Sequence, residues 1–188
     1  AQDVSQKNIE IVQRAARDIG YLGNHLAMAL SSNRSGLIGV LVPSLNNIVF
    51  AEVLSGIADG IAGSGLQPVF GVTDYDPERE YDLIRSMLSW NPTGLIVTGT
   101  DQSAPARELL AGTPVPVVQI MDTDGDAIGA VVGFSHVEAG RDMARALAAQ
   151  GRNRIGYVGC ALHRDKRAMK RKQGFVAGLS EAGLTLAA

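Results

Sequence analysis

The sequence contains very little cysteine and no long apolar run. Cys160 is the single cysteine among 188 residues, so an intrachain disulfide and a Cys-x-x-Cys metal site are excluded. No apolar stretch approaches the roughly 20 residues that a membrane-spanning helix needs. The start of the chain also lacks the charged and apolar regions of a secretion signal. These absences predict a soluble, cytoplasmic protein without a membrane partner.

An excess of either charge is also lacking. The 17 lysines and arginines nearly balance the 19 acidic residues, which gives a net charge of −2 at pH 7. There is therefore no overall electrostatic attraction to nucleic acid, and any contact with DNA has to come from a local element of matching shape. Apolar residues make up 46% of the chain and charged residues 19%, a composition typical of a globular protein.

The sequence motifs of several common enzyme classes are missing. No GxGxxG follows the first apolar run, and the segment from Gly94 to Gly99 has the glycine spacing of a phosphate-binding loop without its lysine. There is no GxSxG and no HExxH. The three histidines, His25, His136 and His163, are scattered, which argues against a metal cluster. We expect a protein that is not an enzyme and that has neither a cofactor nor a metal site.

Apolar runs alternate with amphipathic stretches from residue 36 onwards. The runs lack a period of two, as expected of strands buried on both faces, and lie at 37–42, 68–72, 94–98, 116–121 and 154–158, with a shorter one at 130–133. Helical patterns separate them, and one begins with Asp76 as N-cap and Pro77 at the first helical position. Repeated strand–helix units predict an α/β fold with a parallel sheet flanked by helices.

A separate amphipathic helix is predicted near the start of the chain, at residues 4–19. Ser5 is a suitable N-cap and Gly20 a suitable end. One such helix cannot bury its apolar stripe alone, so we expect its packing partners upstream. Residues 24–31 form a further segment of about two turns, below the ~12–15 residues that an isolated helix needs in water. Such a segment can be unfolded when free and helical when bound.

This order of elements resembles the LacI/GalR family of bacterial transcription regulators. In that family a hinge helix with the pattern Y-x-P-N-x-x-A-x-x-L precedes a sugar-sensing domain, and the matching stretch here runs from Tyr21 to Leu30. Gly23 stands where the family usually has proline, which loosens the helix start. The resemblance implies that the hinge enters the DNA minor groove, where Leu30 wedges into a base step. The implied DNA-binding residues are Asn24, His25, Ala27 and Leu30. The alternative is a linker in which Leu26 and Leu30 pack on the sensor domain.

The resemblance also implies a periplasmic-binding-protein-like fold in four regions. Residues 1–22 are the remnant of an all-α helix-turn-helix headpiece, namely its third helix, and residues 23–35 form the hinge helix and linker. Residues 36–133 are the near-complete N-terminal subdomain of the effector-binding domain, and residues 134–188 begin the C-terminal subdomain. We therefore expect a fragment of a regulator, which binds operator DNA only with a complete headpiece and which forms a homodimer.

Polar residues at the carboxyl ends of the predicted strands are the candidate ligand site, because ligands of open parallel sheets bind there. Short polar and acidic side chains suit a polyhydroxylated ligand. With the positions that the resemblance implies, the candidate effector-binding residues are Ser44, Asn47, Phe50, Asp74, Asp122, His136, Arg167 and Arg171. Structural alternatives remain open: helix capping for Ser44 and Asn47, core packing for Phe50, a turn cap for Asp122 and a solvent-facing helix position for His136.

A basic run at residues 164–172 has three interpretations: a solvated helix face, a nucleic-acid patch or an anion site. A solvated face is the usual outcome and is favoured for Lys166, Lys170 and Lys172. Arg171 differs, because its spacing before Gly174 matches the R-x-x-G-F of the family. The resemblance implies that this arginine holds effector oxygens, and a guanidinium can bind a carboxylate through two hydrogen bonds.

Four motifs are similar to those of the gluconate-utilisation repressors within this family. They are Pro43-Ser44-Leu45-Asn46-Asn47-x-Val49-Phe50, Gly71-Val72-Thr73-Asp74-Tyr75, Met87-Leu88-Ser89-Trp90-x-Pro92 and Gly133-x-Ser135-His136. An aldonic acid such as gluconate would present a carboxylate to Arg171 and hydroxyls to Asp74, Asp122 and His136. The prediction is a repressor that senses a sugar or sugar acid. The alternatives are a soluble sugar-binding protein of a transport system and a small α/β enzyme that acts on sugar acids.

Overall fold

A computed structural model describes residues 5–21, 35–159 and 161–187 of the chain. By its internal contacts the chain divides into two compact units, residues 1–35 and 36–188. The predicted DNA-binding residues of the hinge, Asn24, His25, Ala27 and Leu30, lie outside the described residues. The boundary proposed between two sensor subdomains at residue 134 remains a prediction.

The first unit contains one described helix, α1 (Gln6–Asp18). The hydroxyl of Ser5 caps it by accepting a hydrogen bond from the backbone N–H of Asn8 at 3.4 Å. The helix ends before Gly20, whose φ of +66° suits the residue without a side chain. The predicted helix and both of its predicted ends are confirmed.

The second unit is built on a parallel sheet of five strands. They are β1 (Leu37–Val42), β2 (Gln67–Val72), β3 (Gly94–Thr98), β4 (Val117–Ile120) and β5 (Ala130–Val132). Their order across the sheet is β2-β1-β3-β4-β5, and every neighbouring pair is parallel. The chain therefore adds β2 on one side of β1 and then continues on the other side, so the topological switch point lies between β1 and β3. The predicted parallel sheet is confirmed.

Five helices accompany the sheet in the second unit. They are α2 (Ile48–Ile61), α3 (Pro77–Ser89), α4 (Ala104–Gly112), α5 (His136–Ala149) and α6 (Lys166–Glu181). The carboxylate of Asp76 accepts from the backbone N–H groups of Glu78 and Arg79, so the predicted cap of α3 is confirmed. Asp165 caps α6 in the same way.

The central strand β1 is buried on both faces because helices cover both sides of the sheet, whereas the edge strands β2 and β5 are partly exposed. Residues of α3 and α4 pack with Leu41, Leu95 and Val97 in one apolar cluster. On the other face, Phe50 of α2 packs with Val40 and its neighbours in β1. Successive strand residues thus serve opposite clusters, which explains why the apolar runs show no alternation with polar residues.

Helices α5 and α6 pack backbone against backbone. A Cβ atom added at Gly140 would overlap the carbonyl of Arg171, and one added at Gly174 would overlap the carbonyl of Val137. Glycine is required at these positions because the two backbones leave no room for a side chain. An apolar cluster that includes Ala144, Phe175 and Leu179 continues the contact toward the end of α6.

The strand predicted at residues 154–158 is wrong. Among the described residues the segment forms no ladder, and only Ile155 forms a bridge, with Leu186. A strand needs a hydrogen-bonding partner along its length, and apolar composition alone does not supply one. Within the described ranges, no helix is long and apolar enough to cross a membrane.

Candidate functional site

The carboxyl ends of β1, β2 and β3 open into a cavity that the start of α6 closes on one side. We call this space the edge cavity. Its lining includes Pro43, Thr73, Tyr75, Glu80, Gly99, Asp101, Gln102, Arg164, Asp165, Lys166 and Arg167. The sheet order places it at the switch point between β1 and β3. The connections that follow these two strands run in opposite directions, and a crevice forms between them.

Arg167 is the most unusual group of the edge cavity, because its charge is buried and incompletely paired. The residue is 8% exposed, and its guanidinium lies over the ring of Phe50 at 5.4 Å. The nearest carboxylate, that of Asp165, is 3.6 Å from Nε. The Nη1 atom is buried and has no hydrogen-bond partner among the described residues. An unsatisfied buried donor of this kind costs about 1–3 kcal/mol or more, so a ligand oxygen at this point would be favourable.

Phe50 serves as the platform for Arg167 and as a core residue. It is 2% exposed and belongs to the apolar cluster between α2 and β1. The structure therefore places this candidate beneath the guanidinium, in agreement with the core-packing alternative. Contact with an effector remains a prediction for Phe50.

Arg171 and His136 form a second polar pair, between α6 and α5. Nη1 of Arg171 lies 2.9 Å from Nδ1 of His136, and Nε2 of His136 lies 2.7 Å from the carbonyl oxygen of Met121. Because a guanidinium only donates, Nδ1 must accept and Nε2–H must donate, so the ring is neutral. Burial also lowers the pKa of His136. His136 is 3% exposed, so the alternative of a solvent-facing position is wrong.

Asp122 is fully buried beneath Lys170. Its Oδ2 atom lies 2.6 Å from Nζ of Lys170, and its Oδ1 atom accepts from the backbone N–H of Asp124 at 2.8 Å. Nζ of Lys170 also lies 2.7 Å from the carboxylate of Asp101. The solvated face predicted for Lys170 is wrong, since acceptors at the ends of two strands draw its ammonium inward. The sequence around Lys170 does not reveal them, because they come from distant segments.

Ser44, Asn47 and Asp74 lie toward the rim of the site and have local partners. The hydroxyl of Ser44 accepts from the N–H of Asn46, and Oδ1 of Asn47 caps α2 by accepting from the N–H of Val49, both at 3.1 Å. The exposed carboxylate of Asp74 pairs with Arg79. These contacts support the capping alternative for Asn47, whereas Ser44 caps a turn before the helix and does not cap α2 itself.

Tyr75 and Glu80 are site residues that the sequence reasoning missed. Tyr75 has a φ of +59° and follows Asp74 with a φ of +52°, so two residues with side chains adopt the left-handed conformation in succession. The Tyr75 side chain hydrogen-bonds Asn47, and burial raises the pKa of its hydroxyl. The position of Tyr75 beside the candidate Asp74, just after β2, could have identified it as a rim residue, whereas no sequence signal indicates its backbone conformation.

Glu80 reaches the edge cavity from the first turn of α3. Burial raises the pKa of this carboxyl group to about 7, against the opposing effects of Lys166 and of a hydrogen bond from Gln102. Gln102 in turn accepts from the amide of the fully buried Gln119 at 2.9 Å. The floor of the cavity is therefore a connected polar network. Within the described ranges, no group of histidine, cysteine, aspartate and glutamate side chains is arranged to hold a metal ion.

The structure thus brings most of the candidates together. Asp122, Arg167 and Arg171 each lie within electrostatic reach of His136, and Tyr75 links Asn47 with the two arginines. Arg171 forms no ion pair with a carboxylate of residues 5–21, 35–159 or 161–187. Among the described residues Nη1 of Arg167, a residue that lines the edge cavity, has no hydrogen-bond partner, and Arg171, which is hydrogen-bonded to His136, adds a second positive charge near Tyr75. An anion would be favoured at such a place.

Comparison with known proteins identifies the fold and its relatives. The family model described as "Periplasmic binding proteins and sugar binding domain of LacI family" matches residues 35–187. The HTH-type transcriptional regulator GntR of Pseudomonas aeruginosa is 39% identical over 183 residues, which cover 97% of this chain and 52% of that protein. The GntR regulator of Escherichia coli K12 is 37% identical over 173 residues, which cover 92% of this chain and 52% of that protein.

Solved structures of transcriptional regulators also match the chain. A crystal structure of a LacI-family transcriptional regulator from Silicibacter pomeroyi matches with a TM-score of 0.91 and 46% identity, over 98% of this chain and 55% of that one. The regulator GntR from Chromobacterium violaceum matches with a TM-score of 0.69 and 38% identity, over 78% of this chain and 53% of that one. The chain therefore spans about half the length of the proteins that it matches.

Proposed function

The chain belongs to the LacI family of transcriptional regulators, and on this basis we propose that it is the sensor part of a cytoplasmic repressor whose effector is a sugar acid. The relatives reported above are regulators of transcription, which is consistent with a role without catalysis. The observation that carries the choice of an acid is the buried Nη1 of Arg167, which has no hydrogen-bond partner among the described residues.

A sugar acid fits the charge and the hydrogen-bonding groups of the site. A carboxylate can accept from Nη1 of Arg167, with the charge of Arg171 nearby, and a charge-assisted bond is stronger than a bond between neutral groups. Hydroxyls can pair with the polar groups at the rim, which offsets the loss of water. Gluconate, the aldonic acid indicated by the sequence motifs, has both features in one molecule.

The proposed mechanism is a shift between two arrangements of the effector-binding domain. Ligand bound between the strand ends and α6 would favour one arrangement and so change the ability of paired hinges to order on DNA. In this proposal Asn24, His25, Ala27 and Leu30 contact the operator, and the protein acts as a homodimer that matches a palindromic site. Exposed apolar side chains at the start of α2, such as Ile48 at 74% exposure, support a protein contact there.

Ligand binding tests the sensor. We expect D-gluconate to raise the melting temperature of the protein, since a ligand that binds only the folded state stabilises it. Replacement of Arg167 or Arg171 by methionine, which keeps the apolar part of the side chain, should weaken gluconate binding at least about tenfold by calorimetry, because a hydrogen bond to a charged group is worth about 1.5–3 kcal/mol. Arg85→Met removes an exposed guanidinium on α3 and is the matched control.

A preference for a neutral sugar would contradict the assignment of an acid. If D-glucose stabilises the protein, D-gluconate and its 6-phosphate do not, and the two arginine variants behave like Arg85→Met, the effector is not an acid. The DNA-binding part of the proposal is tested separately by the gel mobility of operator DNA with a version that carries a complete helix-turn-helix headpiece. Retardation that gluconate does not alter would contradict control by the sensor.

A further inference from the structure

Lys170 is a largely buried charged residue of α6 that has no role in the function proposed above. Its side chain is 13% exposed and extends from α6 toward the ends of two neighbouring strands. Nζ lies 2.7 Å from the carboxylate of Asp101, which follows β3, and 2.6 Å from both the carboxylate of Asp122 and the carbonyl oxygen of Asp124, which follow β4. The hydroxyl of Thr100 is a more distant neighbour at 3.5 Å.

These contacts saturate the ammonium group. An ammonium has three N–H donors, and three acceptors lie within 2.7 Å of Nζ. Burial alone lowers the pKa of Lys170, but the hydrogen bonds to Asp101 and Asp122 outweigh it and raise the pKa. The lysine is therefore charged and has no donor left for a ligand. Its role has to be exerted through the residues that it holds.

The charge of the cluster formed by Lys170, Asp101 and Asp122 explains what that role is. Two carboxylates and one ammonium give a net charge of −1, and without the ammonium the cluster would carry −2. Asp122 is fully buried and lies within electrostatic reach of His136, as do Arg167 and Arg171. An uncompensated buried carboxylate at this place would attract the nearest cation and repel an anionic ligand.

We propose that Lys170 is the positioning residue that makes the site selective for an anion. It binds Asp101 and Asp122 and thereby keeps these two carboxylates from compensating the charges of Arg167 and Arg171, which remain available to the carboxylate of a ligand. The same three contacts fix the loops after β3 and β4 against α6. This inference rests on the proposed function, since it concerns the affinity for a sugar acid.

The test measures D-gluconate affinity by calorimetry at constant ionic strength. Lys170→Met should weaken binding at least about tenfold, because it leaves one additional negative charge near the site. Lys172→Met is the matched control: Lys172 lies two residues further along α6, in a groove lined by Val176 and Ser180, and its replacement should change affinity less than about twofold. Lys170→Arg keeps the charge and should stay within about threefold of the original protein.

A charge-matched double variant separates this role from a purely structural one. Lys170→Met combined with Asp101→Asn restores the net charge of −1 and should recover most of the affinity lost in the single variant. If the double variant binds as weakly as Lys170→Met, or if Lys170→Met binds as well as Lys172→Met, the inference is overturned.

Two further outcomes complete the design. If Lys170→Met does not fold, Asp101→Asn alone provides the test: it makes the cluster neutral and should bind gluconate at least as tightly as the original protein, and weaker binding would overturn the inference. Failure of the original protein to bind gluconate would overturn the proposed acid specificity and this inference with it. Gluconate binding that is independent of charge at position 170 would overturn this inference alone.

Discussion

The guanidinium of Arg167 and the ammonium of Lys170 are both buried, yet their charges are compensated differently. Lys170 has an acceptor for each N–H bond, whereas within the described part of the chain Nη1 of Arg167 has no hydrogen-bond partner and its nearest carboxylate is 3.6 Å from Nε. A buried charge without a full set of partners is unfavourable in the free protein. The contrast within one helix distinguishes a group that organises the site from one that is available to a ligand.

Glu80 gives a prediction about pH. Its pKa in the folded protein is about 7 against an ordinary value of 4.5, so folding favours the protonated form. The free energy of unfolding is therefore highest below pH 4.5 as far as this group is concerned, and it falls as the pH rises from 4.5 to 7. Glu80→Gln, which cannot ionise, should be more stable than the original protein at pH 8 by about 1–2 kcal/mol and about equally stable at pH 4.5.

Urea denaturation at both pH values measures this difference. Glu78→Gln is the control, because Glu78 lies in the same turn of α3 and is exposed. An equal stability difference at pH 4.5 and pH 8 would show that Glu80 does not titrate as its burial requires.

At the scale of elements, the glycines between α5 and α6 give the sharpest prediction. Gly174→Ala would place a methyl group on the carbonyl of Val137, and the helices would have to separate. We expect a loss of about 3 kcal/mol or more in the free energy of unfolding, comparable with severe overpacking of a core. Gly56→Ala in α2 meets nothing within 4 Å and should instead stabilise the protein by up to about 1 kcal/mol.

Chemical denaturation of the two variants compares the same substitution in two helices. A loss below about 1 kcal/mol for Gly174→Ala would contradict the backbone contact between α5 and α6. The two values also separate the effect of packing from that of helix propensity, which favours alanine at both positions.

The elements themselves were largely predictable from the sequence, because their signals are local. Asp76 followed by Pro77 identifies the start of α3, and the unbroken apolar run at 37–42 identifies a strand buried on both faces. The segment at 154–158 has a similar run and forms one bridge only, since pairing depends on a partner that apolar composition does not reveal. A local apolar pattern therefore suggests a strand, but whether the segment forms one depends on a neighbouring strand with which it can pair.

Part of the candidate site was also predictable, because some of its residues are indicated by local sequence signals. Arg171 and Asp122 were indicated by motif spacing and by position after a strand, and the structure places both beside His136. The burial of Lys170 depends on acceptors 46 to 69 residues away in the chain, contributed by two different loops. The left-handed backbone of Tyr75 has no sequence signal, because it is a side-chain-bearing residue in a conformation that favours glycine.

At the scale of the whole molecule, the division into two units gives a further prediction. Residues 36–188 form a compact unit that contains every described residue of the edge cavity. A version that begins at residue 36 should therefore bind gluconate within about twofold of the affinity of the full chain, because the described lining residues of the edge cavity all belong to this unit. Calorimetry of both versions makes the comparison, and a loss above about tenfold would mean that residues 1–35 take part in ligand binding.

The glycine contacts between α5 and α6 also determine how a signal could travel. At Gly140 and Gly174 no side chain separates the two backbones, so we expect α5 and α6 to move together as a rigid pair. Arg171 lies on α6 of this pair. Val137, whose N–H donates to the carboxylate of Asp124, lies on α5. A displacement of Arg171 on ligand binding should therefore also move Val137 and, through Asp124, the loop after β4.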